Sequence, residues 1–373
     1  MSAKELLTNS SNTITDDLQD RPDVYVKVLL AKGEVLKGID AYQEAESNYR
    51  KALEWSSETT HPIENKVKTN VLLGDLYTDW NKGQQETVEF AQRAHNQLKN
   101  MESPPPALKA SVIGLRAHVI SSELKDYEKG NLYFEKADSI YKKAGLDQSY
   151  EYMNMLTGYG RTLLYVFNFT KSEQVLLKSN RIHRKTLDRP TLTVAENYKF
   201  LGWTNRKLGN FEQSNRYFRK SIALKQKLTG EETLQTAIPM YHLARNYTLS
   251  GEYEKSERLA KQVLQIYQKN LEPGNQYILQ AKNYIGTAKY HLGNYSAAER
   301  SHKDIIKQSN QAMHKAGVKP NLALVYQHTD RLNEAITLLE ESINVNEKYL
   351  DHQSRVVAVD MIKLAAIYRE LDK

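Results

Sequence analysis

A segment between residues 181 and 230 concentrates the positive charge of this chain. It holds twelve basic residues against three acidic ones, a surplus of nine, whereas the whole chain of 373 residues has a net charge of +7. Lysine and arginine side chains at this density can neutralise phosphate groups. One hypothesis is therefore that the segment binds nucleic acid.

Residue types that catalyse reactions do not form a familiar pattern here. Cysteine is absent, which excludes disulfides, thiolate metal sites and cysteine nucleophiles. The histidines are scattered, and the chain has no His-x-x-x-His pair, no Gly-x-Ser-x-Gly and no Gly-x-x-x-x-Gly-Lys. We therefore expect a protein that is not an enzyme and that carries no metal or cofactor.

The composition is compatible with a folded protein in a reducing compartment. The chain is 40% hydrophobic and 26% charged, and it has no apolar run of about 18 residues that would span a membrane. Its first residues, MSAKELLTNSSNTITDDLQD, are polar and acidic, unlike a secretory signal. We expect a cytoplasmic protein that does not insert into a membrane.

The elements that position these side chains are indicated by an internal repeat. Gly209, Gly251 and Gly293 are each 42 residues apart, in the similar stretches KLGNFEQSNRYFRKSI, LSGEYEKSERLAKQVL and HLGNYSAAERSHKDII. Each of these glycines is predicted to end a helix in the left-handed conformation. A period of this length predicts a stack of similar helix pairs.

Small residues recur in the same register along most of the chain. In the first helix of each predicted pair they form the series Gly33, Gly74, His118, Gly160, Gly202, Ala244, Gly286, Ala323 and Ala365, in which only His118 is not small. A second, mostly small residue follows twelve residues later, and a large residue usually lies four residues beyond that. Small residues let two helices approach closely, so the pattern predicts tight pairs with an aromatic side chain between successive pairs.

This register resembles the tetratricopeptide repeat, and LGWTNRKLGNFEQSNRYFRKSI is its clearest copy. The long period is similar to the repeats of kinesin light chains, and the N-terminal repeats are similar to those of bacterial kinases and regulators. The resemblance implies an all-α fold, a right-handed α-solenoid of antiparallel helix pairs. We expect an N-terminal polar segment or capping helix over residues 1–21, about eight pairs over residues 22–350, and over residues 351–373 a C-terminal helix that is a cap or a truncated ninth repeat.

Three places depart from the regular register. In repeat 2, Gly83 comes two residues late, so either Glu86 or Val88 is expected at the second small position. The stretch SPPP at residues 103–106 predicts a stiff joint before repeat 3. The shortest step, 37 residues between Gly286 and Ala323, predicts a shorter loop and first helix in repeat 8.

In the register of this family, the first helices line a concave groove, which implies candidate ligand residues in repeats 4 to 7. They combine cations with aromatic and amide side chains: Arg161, Lys199, Trp203, Arg206, Tyr241, His242, Arg245, Asn283, Tyr284, Thr287 and Tyr290. Guanidinium groups suit carboxylates, asparagine can hold an extended backbone, and aromatic rings give rigid contacts. The partner implied is an acidic or aromatic peptide or protein segment, although each cation could instead pair with a neighbouring acid.

Three functions stay open at this point. The first is a non-enzymatic scaffold of signalling or regulation that binds a peptide. The second is nucleic-acid binding, although Arg216, Arg219 and Lys220 fall on a second helix, which the resemblance places on the convex side. The third is the sensory half of a larger transcriptional or kinase regulator. The last helix, SRVVAVDMIKLAAIYRELDK, is apolar for a cap, which favours a cut chain or a contact in a homo-oligomer.

Overall fold

Helices account for all the regular structure in the part of the chain that the computed structural model describes, which is residues 18–38, 41–80, 84–186, 190–349 and 354–371. These residues form seventeen α-helices and one short 3₁₀ helix, without a strand. The chain divides into two compact units, Met1–Thr229 (unit 1) and Gly230–Lys373 (unit 2). The predicted all-α solenoid is confirmed.

The described residues of unit 1 form five helix pairs, and a 3₁₀ helix at Ser56–Glu58 follows the second helix. Its helices are α1 (Pro22–Gly38), α2 (Tyr42–Trp55), α3 (Pro62–Trp80), α4 (Gln84–Lys99), α5 (Pro106–Ser122), α6 (Tyr127–Lys143), α7 (Tyr150–Tyr165), α8 (Phe169–Thr186), α9 (Leu192–Lys207) and α10 (Phe211–Thr229). The predicted N-terminal segment over residues 1–21 falls mostly outside the described residues.

Unit 2 contains three helix pairs and a final helix among its described residues. Its helices are α11 (Leu234–Leu249), α12 (Tyr253–Asn270), α13 (Gln276–His291), α14 (Tyr295–Gln308), α15 (Ala312–His328), α16 (Leu332–Tyr349) and α17 (Arg355–Leu371). In both units an odd-numbered helix is the first of a pair and is called an A helix, and an even-numbered helix is a B helix. Within this part of the chain, no helix is both long and apolar enough to cross a membrane.

The small residues of the register lie where an A helix touches its own B helix. A Cβ atom added to Gly202 would lie 2.7 Å from the Phe218 ring, and one added to Gly160 would lie 2.5 Å from Leu176. The second small residue completes the contact, since the Ser214 hydroxyl donates a hydrogen bond to the Gly202 carbonyl oxygen (2.6 Å). Close approach and a buried hydroxyl bond therefore explain why these positions are small.

The turn between the A and B helices has the predicted left-handed residue. Gly209, Gly251 and Gly293 have φ angles of +82°, +80° and +78°. Repeats that lack glycine at this position use Lys125, Phe167 or Asp330, each with φ of +58°. The turn geometry is thus kept even where the side chain opposes it.

An aromatic residue begins most B helices and contacts the A helix of the next repeat. Tyr127 stacks on Tyr165 with ring centroids 4.4 Å apart, and Tyr253 stacks on His291 at 4.2 Å. These contacts confirm an aromatic side chain between successive pairs. The stacked rings help to set the spacing of neighbouring repeats.

Repeat 2 differs from the expectation for its second small position. Thr87 is the buried residue there, with 1% of its surface exposed, whereas Val88 is 38% exposed and Glu86 is only partly buried. Both candidates for the position were therefore wrong. The reason is that α4 begins at Gln84, so the face that it turns toward α3 falls on Thr87 and Ala91, between the two predicted residues.

Candidate functional site

Two tyrosines from successive A helices meet in unit 2. The rings of Tyr241 on α11 and Tyr284 on α13 lie 5.3 Å apart in an edge-to-face arrangement, and both side chains are partly buried. Burial raises the pKa of Tyr241, and the hydrogen bond with Tyr284 raises it further. Two partly buried rings in contact form an apolar wall suited to an aromatic or aliphatic side chain.

An exposed guanidinium lies one turn beyond Tyr241. Arg245 on α11 is exposed, and it makes no ion pair with any residue that the structure describes. It is near enough to Tyr241 to lower the pKa of that phenol slightly, against the larger effect of burial. Arg245 can therefore accept a carboxylate from outside the chain without breaking an internal pair.

Two asparagine side chains bridge the A helices α13 and α15. The Asn321 amide nitrogen donates a hydrogen bond to the Asn283 carbonyl oxygen at 3.1 Å. Since each amide has two donor hydrogens and an acceptor oxygen, the pair retains the donors of Asn283 and the oxygen of Asn321. A donor and an acceptor side by side match the N–H and C=O groups of an extended peptide backbone.

The other candidates of unit 2 surround this set. Thr287 follows Tyr284 by one turn on α13, and His242 packs against the Tyr241 ring at 5.2 Å. Tyr290 belongs to a separate aromatic group at the end of α13, where its hydroxyl is 2.9 Å from the Nδ1 atom of His328. We define the A-face of unit 2 as Tyr241, His242, Arg245, Asn283, Tyr284, Thr287 and Asn321.

In unit 1, Arg161 is already engaged by the preceding repeat. Its Nη2 atom lies 2.9 Å and 2.8 Å from the ring nitrogens of His118 and donates to the Ser122 hydroxyl at 2.6 Å. Burial lowers the pKa of His118 well below its ordinary value, and the Arg161 charge adds to this. The guanidinium therefore joins α7 to α5, so a ligand would compete with an internal contact.

Lys199 belongs to a partly buried charge cluster. The Glu196 carboxylate accepts hydrogen bonds from both Lys199 and the fully buried Lys225 on the paired helix α10. Burial alone would raise the pKa of Glu196, but the two ammonium groups hold it well below its usual range. The Glu196 carboxylate thus pairs with both cations, and the cluster joins the helices α9 and α10.

Trp203 and Arg206 lie on the same helix in different surroundings. Trp203 is partly buried, with its ring 5.8 Å from that of Tyr165. Arg206 is only 8% exposed, and its guanidinium lies over the Phe218 ring at 6.0 Å. Because Arg206 is buried against its own B helix, we leave it out of the proposed site.

Asn321 is the A-face residue that the sequence analysis missed. It lies two residues before the small residue Ala323, the same place that His242 and Tyr284 occupy in their repeats. The candidate residues predicted from the groove register did not include any from repeat 8. Extending the register to repeat 8 would have found Asn321 from the sequence.

Sequence families agree with this architecture. Two models of the tetratricopeptide repeat match residues 26–59 and 195–228, and residues 228–311 and 315–373, which together are more than half of the chain. The chain therefore belongs to the tetratricopeptide repeat family, a class whose stacked helix pairs serve as scaffolds for protein interaction. No curated protein has a significantly similar sequence.

Solved structures with a similar fold include several regulators. The apo form of the quorum sensor NprR from B. thuringiensis has a TM-score of 0.71 at 13% identity, over 93% of this chain and 94% of that one. A Rap protein complexed with competence and sporulation factor has a TM-score of 0.58 at 13% identity, over 93% and 98%. A signal transduction ATPase of the STAND class with a tetratricopeptide repeat sensor, from Pyrococcus horikoshii, has a TM-score of 0.62 at 16% identity, over 89% of this chain and 50% of that one. At such low identity the likeness shows the fold.

Proposed function

We propose that this chain is a non-enzymatic, cytoplasmic interaction module of a regulatory system, and that the A-face of unit 2 binds an extended peptide segment. The observation that carries the proposal is the Asn283–Asn321 bridge beside the Tyr241–Tyr284 pair, with the exposed Arg245 one turn away. Together they supply backbone hydrogen bonds, an apolar contact and a cation within three successive A helices. Among the described cationic candidates of unit 1, Arg161 is bonded to His118 and Ser122, Lys199 is paired with Glu196, and Arg206 is buried.

The ligand that fits this face has a carboxylate and a large apolar side chain close together. An extended chain advances about 3.3 Å per residue, and its alternate side chains point to the same side. An acidic residue at Arg245 would therefore leave room for an apolar residue at the tyrosines, while the backbone that continues beyond this residue faces the asparagines on α13 and α15. The regulators with this fold, a quorum sensor and a Rap protein complexed with a factor, support a sensory role for such a site.

Nucleic-acid binding through residues 181–230 has less support. Lys225 is fully buried, Arg206 is 8% exposed, and Lys199 is paired with Glu196, so these three cations are not presented to phosphates. Arg216, on the B helix α10, is paired with Glu212 at 2.8 Å. Four of the twelve basic residues of this segment are therefore buried or already paired with an acid.

The test is fluorescence polarisation with labelled hexapeptides that contain one aspartate and one phenylalanine at varied spacing, alongside their asparagine versions. We expect saturable binding, with Arg245→Ala weakening only the aspartate peptides, by about tenfold, because it removes a charge-assisted contact. Asn283→Ala should weaken the aspartate and asparagine peptides alike. Single-stranded and duplex DNA serve as comparators.

The matched control is Arg258→Ala, which removes an exposed arginine from the B helix of the same repeat. Equal binding by the Arg245→Ala and Arg258→Ala variants would contradict the proposed site. A response to DNA alone that weakens steeply as salt is raised would instead favour the basic segment.

A further inference from the structure

Helix α17 packs on unit 2 with one face, and the residues that the structure describes leave an apolar face of it uncovered. Val357, Asp360 and Ile367 are buried against the rest of the unit. The opposite side exposes Ala358 and Ala365 together with large apolar side chains: Val359 (41% exposed), Met361 (46%) and Ile362 (69%). Tyr368 (44%) lies at the edge of this side, where its hydroxyl donates a hydrogen bond to Glu340 on α16 at 3.1 Å. Between Ala358 and Ala365, this side has no exposed charged residue, since Asp360 and Lys363 pair with each other on the packed side (3.7 Å).

The A–B pairs of this chain share one antiparallel register. The small residue of the A helix faces the small residue of the B helix, as the Ser214 bond to the Gly202 carbonyl shows. The residue seven positions before the small residue of the A helix faces the residue seven positions after the small residue of the B helix. The Ser221 hydroxyl, for example, donates a hydrogen bond to the Ala195 carbonyl oxygen at 2.8 Å. Phe218, the large residue four positions after the small residue of the B helix, covers Gly202, the small residue of the A helix.

The sequence of α17 fits both the A-helix pattern and the B-helix pattern of this register. As an A helix it has the small residue Ala365, and Ala358 lies seven residues earlier. As a B helix it has Ala358 as the small residue, Ile362 four residues later and Ala365 seven residues later. Two antiparallel copies of α17 would place Ala358 of each opposite Ala365 of the other, and Ile362 of each over Ala365 of the other. A twofold axis then relates the two copies, and each contributes the same surface, as in an isologous interface.

We propose that the exposed face of α17 binds a second copy of this chain, through an antiparallel α17–α17 pair in the register of the internal helix pairs. The exposed apolar face presents on the order of 500 Å² per copy, so the pair buries about 1,000 Å², the lower limit of a specific interface. The dimer is therefore weak and concentration-dependent. The proposal is independent of the peptide site, which lies on α11, α13 and α15.

The test begins with sedimentation velocity of the full chain over a concentration series. We expect the weight-average mass to rise from 42.9 kDa toward twice that value. Ile362→Glu should keep the chain monomeric, and Ala365→Trp should do the same by blocking close approach, because both positions are exposed in the single chain. Leu249→Glu is the matched control, since Leu249 is 56% exposed elsewhere in unit 2 and should not affect the mass.

The orientation is tested by disulfide formation, because the native chain has no cysteine. Antiparallel pairing brings Ile362 close to its own copy, whereas Arg369, on the same side of the helix, is about 22 Å along the axis from its copy at a rise of about 1.5 Å per residue. Ile362→Cys should cross-link on oxidation and Arg369→Cys should not. A monomer at every concentration, a dimer that survives Ile362→Glu, or equal cross-linking at both positions would overturn the proposal.

Discussion

His302 is a fully buried histidine whose two ring nitrogens have no hydrogen-bond partner in the described part of the chain. It covers Gly286 from α14, in the place that Tyr49, Leu176 and Phe218 occupy in other repeats. Burial lowers its pKa to about 4, whereas the unfolded chain binds this proton near pH 6.5. Proton uptake by the unfolded chain therefore lowers the free energy of unfolding as the pH falls from 6.5 to 4, and this loss is absent above pH 6.5.

We expect His302→Leu to stabilise the chain by about 1–3 kcal/mol at neutral pH, because it removes unpaired polar atoms from the core. The gain should grow as the pH falls from 6.5 toward 4. Thermal unfolding followed by circular dichroism at pH 7.5 and 4.5 measures both effects. His61→Leu, at an exposed position of unit 1, is the control. A lower melting temperature for His302→Leu at both pH values would contradict this account.

Two helical glycines allow the effect of close packing on stability to be distinguished from the effect of helix propensity. Gly202 on α9 has no room for a methyl group, which would lie 2.7 Å from the Phe218 ring, whereas nothing lies within 4 Å of a Cβ atom at Gly317 on α15. We expect Gly202→Ala to destabilise by about 1–3 kcal/mol through overpacking. Gly317→Ala should stabilise by about 0.5–1 kcal/mol, because alanine favours the helix. Urea unfolding measures the change in the free energy of unfolding for both variants. Stabilisation by both substitutions would disprove close packing at Gly202.

At the scale of a whole unit, the fold is a row of neighbour contacts. Within unit 1, each helix packs on the helices next to it in the chain or on the next A helix. In such an array a local defect should weaken its neighbours more than distant repeats. The fully buried Tyr49 on α2 and Phe218 on α10 occupy equivalent positions at the two ends of unit 1.

We expect Tyr49→Ala to speed hydrogen exchange in α1 to α3 and to leave α8 to α10 nearly unchanged. Phe218→Ala should have the reverse effect, which makes each variant the control for the other. The reason is that each truncation removes contacts within one pair and its neighbours, a cost of about 3–5 kcal/mol for an aromatic core residue. Hydrogen exchange with mass spectrometry measures the rate of amide exchange in each helix. Uniform acceleration across the unit would show global cooperativity instead.

The repeat register by itself determined the helix pairs of this protein. The small residues Gly160 and Gly202, the partners Leu176 and Phe218, and the turn residue Gly209 all lie where the pattern placed them. The physical reason is that each contact joins residues of one pair or of successive pairs, so the same local requirement recurs and becomes visible as a period. Where the period shifted, as at Thr87 in repeat 2, the sequence assignment was wrong.

Only the tertiary structure decided which candidate side chains are accessible. Arg161 and Arg245 occupy the same position two repeats apart, yet Arg161 is bonded to His118 and Ser122 whereas Arg245 is exposed. Likewise Asn283 meets Asn321 across 38 residues, a pairing that depends on how two helices are brought together. Whether a charged or amide side chain is paired or accessible depends on residues of other helices. These residues differ from one repeat to the next, so the repeat pattern does not identify them. For this reason the sequence could predict the scaffold of this protein, while the candidate site required the packed helices.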